Sequence, residues 1–158
     1  MKFRHLTSSD LPELTKFWEE HWGSSEMVVH GVVFRTNQLD GFVAEEQEQW
    51  IGLVTFFIAQ AECEIISLNS LQEGKGIAAR LIEKVIEVAK EAQCRRVFLS
   101  TTNDNLHALG FYQKHGFELV AVHRGAVNEA RKIKPEISLI GYNDIPIRDE
   151  IELEMLIS

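Results

Sequence analysis

The chain has 158 residues with 45% hydrophobic and 25% charged side chains, a formal net charge of -8 and a pI near 5.2. That length suffices for one domain, residues 1–158, with a core of its own, and the composition excludes a disordered or low-complexity chain. The acidic balance argues against nucleic acid as a partner, because phosphate backbones are bound through clustered Lys and Arg. The longest apolar run, Trp50 to Ala59, is too short to span a bilayer, and Met1 to His5 lacks the apolar stretch of a signal peptide, so a cytoplasmic protein is expected. Without a secretory signal the two cysteines, Cys63 and Cys94, read as reduced, buried thiols.

In chain order, Lys2 to Leu6 alternates as a short strand does, and Thr7-Ser8-Ser9-Asp10 offers helix N-caps. A helix follows, with Pro12 and Glu13 in its first turn and Leu11, Leu14, Phe17 and Trp18 at helical spacing, until Gly23-Ser24-Ser25 breaks it. Glu26 to Asp40 reads equally as helix or as strand-like loops. Phe42 to Ala44, Trp50 to Ile58 and Glu64 to Leu68 predict a three-strand antiparallel meander. Lys75 to about Gln93 is a helix with a wide apolar stripe that includes Ile77, Leu81 and Val85. Arg96 to Ser100 is then a buried strand, parallel to the strand before the helix because a crossover helix joins the two. Asp104 or Asn103 is expected to cap a helix through about His115, and Phe117 to Val122 is the next strand. A long connection with a helical piece near Val127 to Ile133 leads to a closing strand, Glu150 to Ile157.

Chemistry concentrates in two segments. Glu73-Gly74-Lys75-Gly76-Ile77-Ala78 is a glycine-rich turn opening a helix, where unpaired backbone N–H groups and the helix dipole suit a phosphate or pyrophosphate. Gly74-x-Gly76-x-x-Ala79 also fits the dinucleotide fingerprint, but the strand after this helix ends Leu99-Ser100-Thr101-Thr102 with no carboxylate to hold a ribose, and no Walker Lys-Ser/Thr follows. A plain tight turn is the remaining alternative. The second segment, Asn105 to Tyr112 followed by Gly116-Phe117, sets one tyrosine on a short helix. The six histidines show no tight ligand spacing, so no metal is expected.

Taken together, these two segments and the strand order resemble the GNAT superfamily of N-acetyltransferases over nearly the whole chain. The resemblance implies an α/β (α+β) fold: a mixed, mostly antiparallel sheet with a central parallel strand pair splayed around acetyl-CoA and helices on both faces. It implies acetyl-CoA as cofactor, its pyrophosphate held by backbone amides of Gly74, Lys75, Gly76, Ile77 and Ala78. Where the family usually has Arg or Gln, this chain has Glu73, which adds a like charge beside the phosphates. Backbone from Leu68 through Asn69 to Ser70 would lie beside the acetyl carbonyl. Asn105 would hydrogen-bond the pantetheine arm or nearby backbone, and Tyr112 would protonate the departing thiolate. Glu64 is the candidate base, with Glu62 a competitor and an exposed strand glutamate the alternative; alternation puts Glu64 on the face of Ile66 and Leu68.

By the same analogy the acceptor pocket draws on Trp18, Trp22, Met27 and His30 on one side and on His123 and Arg124 on the other. Trp22 is the tryptophan expected to be exposed. The connection from His123 to Arg148 carries Arg124, Arg131, Lys132, Lys134 and Arg148 and is expected to act as a lid that reads a carboxylate, as a solvated flap, or as a dimer contact. The implied reaction is direct transfer of an acetyl group to the primary amine of a small-molecule or amino-acid-like acceptor. Neither cysteine has a His partner within the motifs, so no acetyl-enzyme is expected. A non-catalytic acyl-CoA-binding module and a protein or peptide N-acetyltransferase are the alternatives. No membrane partner is expected, and a homodimer is compatible with the sequence.

Overall fold

A computed structural model describes all residues from Met1 to Ser158. Its strands are β1 (Lys2–His5), β2 (Glu26–Val29), β3 (Val32–Arg35), β4 (Asp40–Glu46), β5 (Gln49–Ala59), β6 (Glu62–Ser70), β7 (Arg96–Thr102), β8 (Glu118–His123) and β9 (Glu150–Leu156). The helices are α1 (Leu11–Trp22), α2 (Ile77–Glu91), α3 (Leu106–Lys114) and α4 (Ala126–Ile133). Seven strands hydrogen-bond in the order β1-β4-β5-β6-β7-β9-β8; the sheet is mostly antiparallel with β6 and β7 as its parallel pair, and β2 and β3 form a separate hairpin. The segment from 26 to 40, ambiguous in sequence, is therefore this hairpin followed by a short 3-10 turn at Thr36–Gln38. No helix is long and apolar enough to cross a membrane.

The chain packs as two compact units. The first comprises Met1–Met27, Phe34–Val97 and Ile157–Ser158, and the second comprises Val28–Val33 and Phe98–Leu156.

In the first unit α1 begins where the sequence signals place it. Thr7 opens a 3-10 turn as a capping box with Asp10, Pro12 sits in the first helical turn, and Gly23 ends the helix in the left-handed region at φ 77°. Its apolar face brings Leu14, Phe17 and Trp18 onto Leu53 of β5, with Leu6, Met27, Trp50 and Ile66 around them. The meander β4-β5-β6 is the framework of this unit. α2 packs on the opposite face through Ile77, Leu81 and Val85, all buried, and a Cβ added at Gly52 of β5 would lie 2.5 Å from Ile77 Cγ2. Glycine at 52 is thus what lets the first turn of α2 settle on the sheet.

The β5–β6 ladder is interrupted. Thr55 pairs with Ser67, whereas the next pair is Phe56 with Ile65, so Ile66 is an extra residue. Such a bulge shifts the alternation of every residue beyond it. Ser67 and Asn69 pair with Thr55 and Leu53, and Glu64 pairs with Phe57, which places all three on the Leu53 face toward α1. Leu68 pairs with Val54 on the other face. The expectation that Glu64 and Leu68 share a face is therefore wrong, because simple alternation cannot carry across the bulge; Ile66 does lie on the Glu64 side.

In the second unit β9 pairs with the edge strand β8, and α4 is anchored by Val127 and Ala130. The cap of α3 is Asn105, whose Oδ1 accepts from Ala108 N–H at 3.1 Å. Asn103 and Asp104, expected as caps, instead tie down the later connection. The run Asn103-Asp104-Asn105 offers three chemically similar caps, and the chain reaches helical geometry only after the third.

Candidate active site

The glycine turn in the first unit has the backbone an anion site needs. Gly74 and Gly76 adopt φ values of 77° and 68°, and Gly76 is the N-cap of α2 with no side-chain cap. L-residues visit this left-handed region reluctantly, whereas glycine enters it without steric cost. The first intrahelical donor is Arg80 N–H, to Gly76 O at 3.1 Å, so the amides of Ile77, Ala78 and Ala79 have no helical acceptor. A Cβ on either glycine would meet nothing within 4 Å, which leaves open space over the turn. Glu73 and Lys75 are exposed beside it, with opposite charges. Sequence reasoning passed over Gln72, whose Oε1 is buried without a hydrogen-bond partner immediately before the turn. Nothing in the local pattern signals that burial, which arises from how the turn folds after β6.

On the α1 side of β6 the bulge sets three polar residues on one face. Glu64 is only 5% exposed. Ser67 accepts from Trp18 Nε1 at 3.2 Å and shares a 2.6 Å hydrogen bond with Thr55. Asn69 Oδ1 accepts from Trp22 Nε1 at 2.9 Å. Trp18 is fully buried and offers no wall to a ligand, whereas Met27 is partly buried against the same core. Trp22 is 44% exposed, its ring held in place by Asn69. Glu62 binds Arg96 and Arg95, each at 3.2 Å, and these guanidiniums, Arg96 first, hold its carboxyl below the usual range. A carboxylate stabilised in this way is a poorer base, which favours Glu64 over Glu62.

The second unit carries the tyrosine. Tyr112 is 8% exposed, with the rings of Phe111 and Phe117 edge-on at 5.5 and 5.6 Å. Burial pushes its phenol well above the usual tyrosine value, so the hydroxyl keeps its proton throughout the neutral range. Gly116, at φ 96°, turns the chain so that Phe117 N–H returns to Tyr112 O at 3.0 Å. His30 and His123 are exposed. The backbone N–H of His30 donates to Glu150 Oε1 at 3.0 Å, and His123 Nε2 lies 2.9 Å from Glu152 Oε1. Arg124 is exposed at the end of β8.

The connection after β8 is tied down rather than loose. Arg131, expected among the groups reading an acceptor carboxylate, donates to the carbonyls of Ile137, Ser138 and Ile147 and to Asn128 Oδ1. Its guanidinium staples α4 to the following loop, and its donors are engaged there. No group of three or more His, Cys, Asp or Glu side chains is gathered as a metal site. Cys63 and Cys94 are free and buried, and burial pushes the Cys63 thiol up to about 12.

A glycine turn after a bulged strand, followed by a parallel strand and a tyrosine helix, defines an acyl-transferase type of α/β fold. Residues 5–117 match the acetyltransferase (GNAT) family, and the chain belongs to that family. It is 49% identical to uncharacterized protein YdhI of Bacillus subtilis (strain 168) over 139 residues, 87% of each chain. It is 45% identical to YxbD of the same organism over 141 residues, 89% of each chain. Among solved structures, a GNAT family acetyltransferase from Elizabethkingia anophelis with acetyl-CoA bound superposes with a TM-score of 0.73 at 20% identity, covering 99% of this chain and 97% of that one. At that identity the likeness is one of fold.

Proposed function

We propose that this protein is an acetyl-CoA-dependent N-acetyltransferase that moves an acetyl group directly onto the primary amine of a small-molecule or amino-acid-like acceptor. The observation that carries the reading is the turn before α2: two left-handed glycines, an uncapped helix N-terminus and open space above it. These features fit a pyrophosphate, whose charge the amides of residues 74–78 and the dipole of α2 would stabilise. Glu73 is the one group at odds with the charge, and being exposed it can turn away into solvent.

Acetyl-CoA supplies the acetyl group as a thioester, a carbonyl activated toward an amine. Attack needs a neutral amine, and Glu64 is the group we assign to take the ammonium proton, directly or through water. Its burial on the α1 face of β6, the face that also carries Asn69 and Trp22, supports this assignment. Backbone from Leu68 to Ser70 would polarise the carbonyl, and Tyr112 would hand its phenolic proton to the leaving sulfur. A phenol holds its proton at neutral pH, as a group that donates one must, and burial keeps Tyr112 in that form. Trp22, His30, His123 and Arg124 are the residues we assign to the acceptor, and Asn105 to the cap of the helix that carries the acid.

The test is thiol release from acetyl-CoA across a panel of amines, polyamines, amino acids and peptides, for the intact protein and for Tyr112→Phe. Amine-dependent release that falls about a hundredfold in the variant supports transfer with Tyr112 as the acid. Tight acetyl-CoA binding with no acceptor raising thiol release would replace this reading with a non-catalytic acyl-CoA-binding module. Release with peptides alone would move the acceptor to a protein terminus or side chain.

A further inference from the structure

The junction of β7 and α3 holds a buried polar knot that the transfer chemistry leaves unexplained. Asp104 is only 2% exposed. Its partners are neutral: Thr102 Oγ1 donates to Oδ1, and the backbone N–H of Tyr142 donates to Oδ2 at 3.0 Å. Beside it, Asn103 Oδ1 accepts from the backbone N–H groups of Arg148 and Asp149 at 2.9 and 3.0 Å, and Asn103 Nδ2 donates to Pro146 O at 2.9 Å.

Both side chains hold one small hairpin, residues 139–147. It reverses at Asn143 and Asp144, with φ of 58° and 59°, and is closed by Gly141 N–H to Ile145 O at 2.9 Å and Ile147 N–H to Leu139 O at 3.0 Å. A Cβ at Gly141 would collide with Asp104 Oδ2, so the hairpin backbone lies directly on the carboxylate. A carboxyl group taken out of water keeps its place only where fixed donors satisfy it, as Thr102 and Tyr142 do here. Its two hydrogen bonds join the end of β7 to the hairpin backbone, a geometric role.

The geometry is on hand. Asn105, the next residue, caps α3, and Tyr112 lies two turns further along, about 10 Å up the helix axis. We propose that Asp104 is a positioning residue for Tyr112: by docking the hairpin 139–147 onto the start of α3, it fixes where along that axis the phenol stands. This rests on the reading of Tyr112 as the acid. The segment considered as a lid is, in this respect, a brace.

The test compares Asp104→Ala and Asp104→Asn in the full chain, alone and combined with Tyr112→Phe. Asn keeps both contacts, its Oδ1 accepting from Tyr142 N–H and its Nδ2 donating to the Thr102 hydroxyl, which turns to accept. Asp104→Ala should lower kcat about tenfold, leave KM for acetyl-CoA within about twofold, and have no further effect on kcat once Tyr112 is Phe. Asp104→Asn should restore kcat. Gly141→Ala attacks the same contact from the hairpin side at an ordinary φ of -116° and should reproduce the pattern should Asp104→Ala fail to fold. A readout independent of turnover comes from the two tyrosines: with ring-labelled tyrosine and no acetyl-CoA, Asp104→Ala should move the Tyr112 NMR signal. Equal loss of kcat with and without Tyr112, an unmoved Tyr112 signal, or Asp104→Asn as impaired as Asp104→Ala would overturn the proposal. Turnover unaffected by Tyr112→Phe alone would instead remove the acid assignment, and the Tyr112 signal would still decide whether Asp104 positions that ring.

Discussion

Gly52 lies in neither of the two motifs, yet the structure makes it a determinant of the glycine turn before α2. Gly52 sits in the middle of the meander, paired with Ala44 and Ser70, and a Cβ there would stand 2.5 Å from Ile77 Cγ2 and 3.3 Å from both Asn69 O and Leu81 Cδ1. An ordinary carbon–carbon contact is about 3.5–4.0 Å, so Gly52→Ala must displace Ile77 by roughly 1 Å or more. Ile77 is 1% exposed and is the first residue of α2, directly after Gly76. Overpacking of this kind costs about 1–3 kcal/mol, and for a chain of this length about 2 kcal/mol lowers Tm by roughly 4–8 °C. Because the displaced residue opens the helix, the turn amides that we assign to a pyrophosphate should move with it, and acetyl-CoA should bind about tenfold more weakly by calorimetry. Ile77→Leu removes the Cγ2 methyl and should recover most of both losses in the double variant. A Gly52→Ala protein with the Tm and affinity of the parent, or a double variant no better than the single one, would refute the reasoning.

Three shorter predictions follow from other residues. Gly76→Ala meets no steric neighbour but is forced to a φ of 68°, so it should lose about 1 kcal/mol in a denaturant titration, without the rescue by Ile77→Leu that marks Gly52. Asp10 is hydrogen-bonded by Arg4, which holds its carboxyl near 2, below an unfolded value near 3.8. A depressed folded value contributes stability that is full above about pH 4 and is lost as pH falls toward 2, so Arg4→Gln should flatten urea midpoints across that acid window. Buried Cys63, its thiol pushed up to about 12, should resist a thiol reagent at pH 8 in the native protein and react once unfolded; rapid labelling of folded protein at this residue would contradict its burial.

The elements legible in the sequence were those in which a local signal and a tertiary demand agree. The cap and proline of α1, the stripe of α2 and the meander strands each combine propensity with one buried face, and each formed within a few residues of its expected bounds. Glycines 74 and 76 were legible for a similar reason, since only a left-handed turn makes that pair worth having. What stayed hidden depends on partners distant in sequence. Asn103 and Asp104 look like caps until residues 141–149 arrive to claim their side chains, and Arg131 looks free to read a ligand until three carbonyls of the neighbouring loop occupy it. The bulge at Ile66 is the most consequential case. A strand with unbroken alternation would divide Glu64 from Asn69, leaving the buried carboxylate and the residue that fixes Trp22 on opposite faces of β6. One extra residue puts both on the α1 face while Leu68 keeps its place with Val54 against the other. The local sequence Ile65-Ile66 gives no sign of this, because two adjacent isoleucines suit a regular strand equally well, and it is the pairing with Thr55 and Phe56 that selects the bulge. The candidate base thus owes its face to a pairing register, which a motif cannot encode and an unbroken periodicity misassigns.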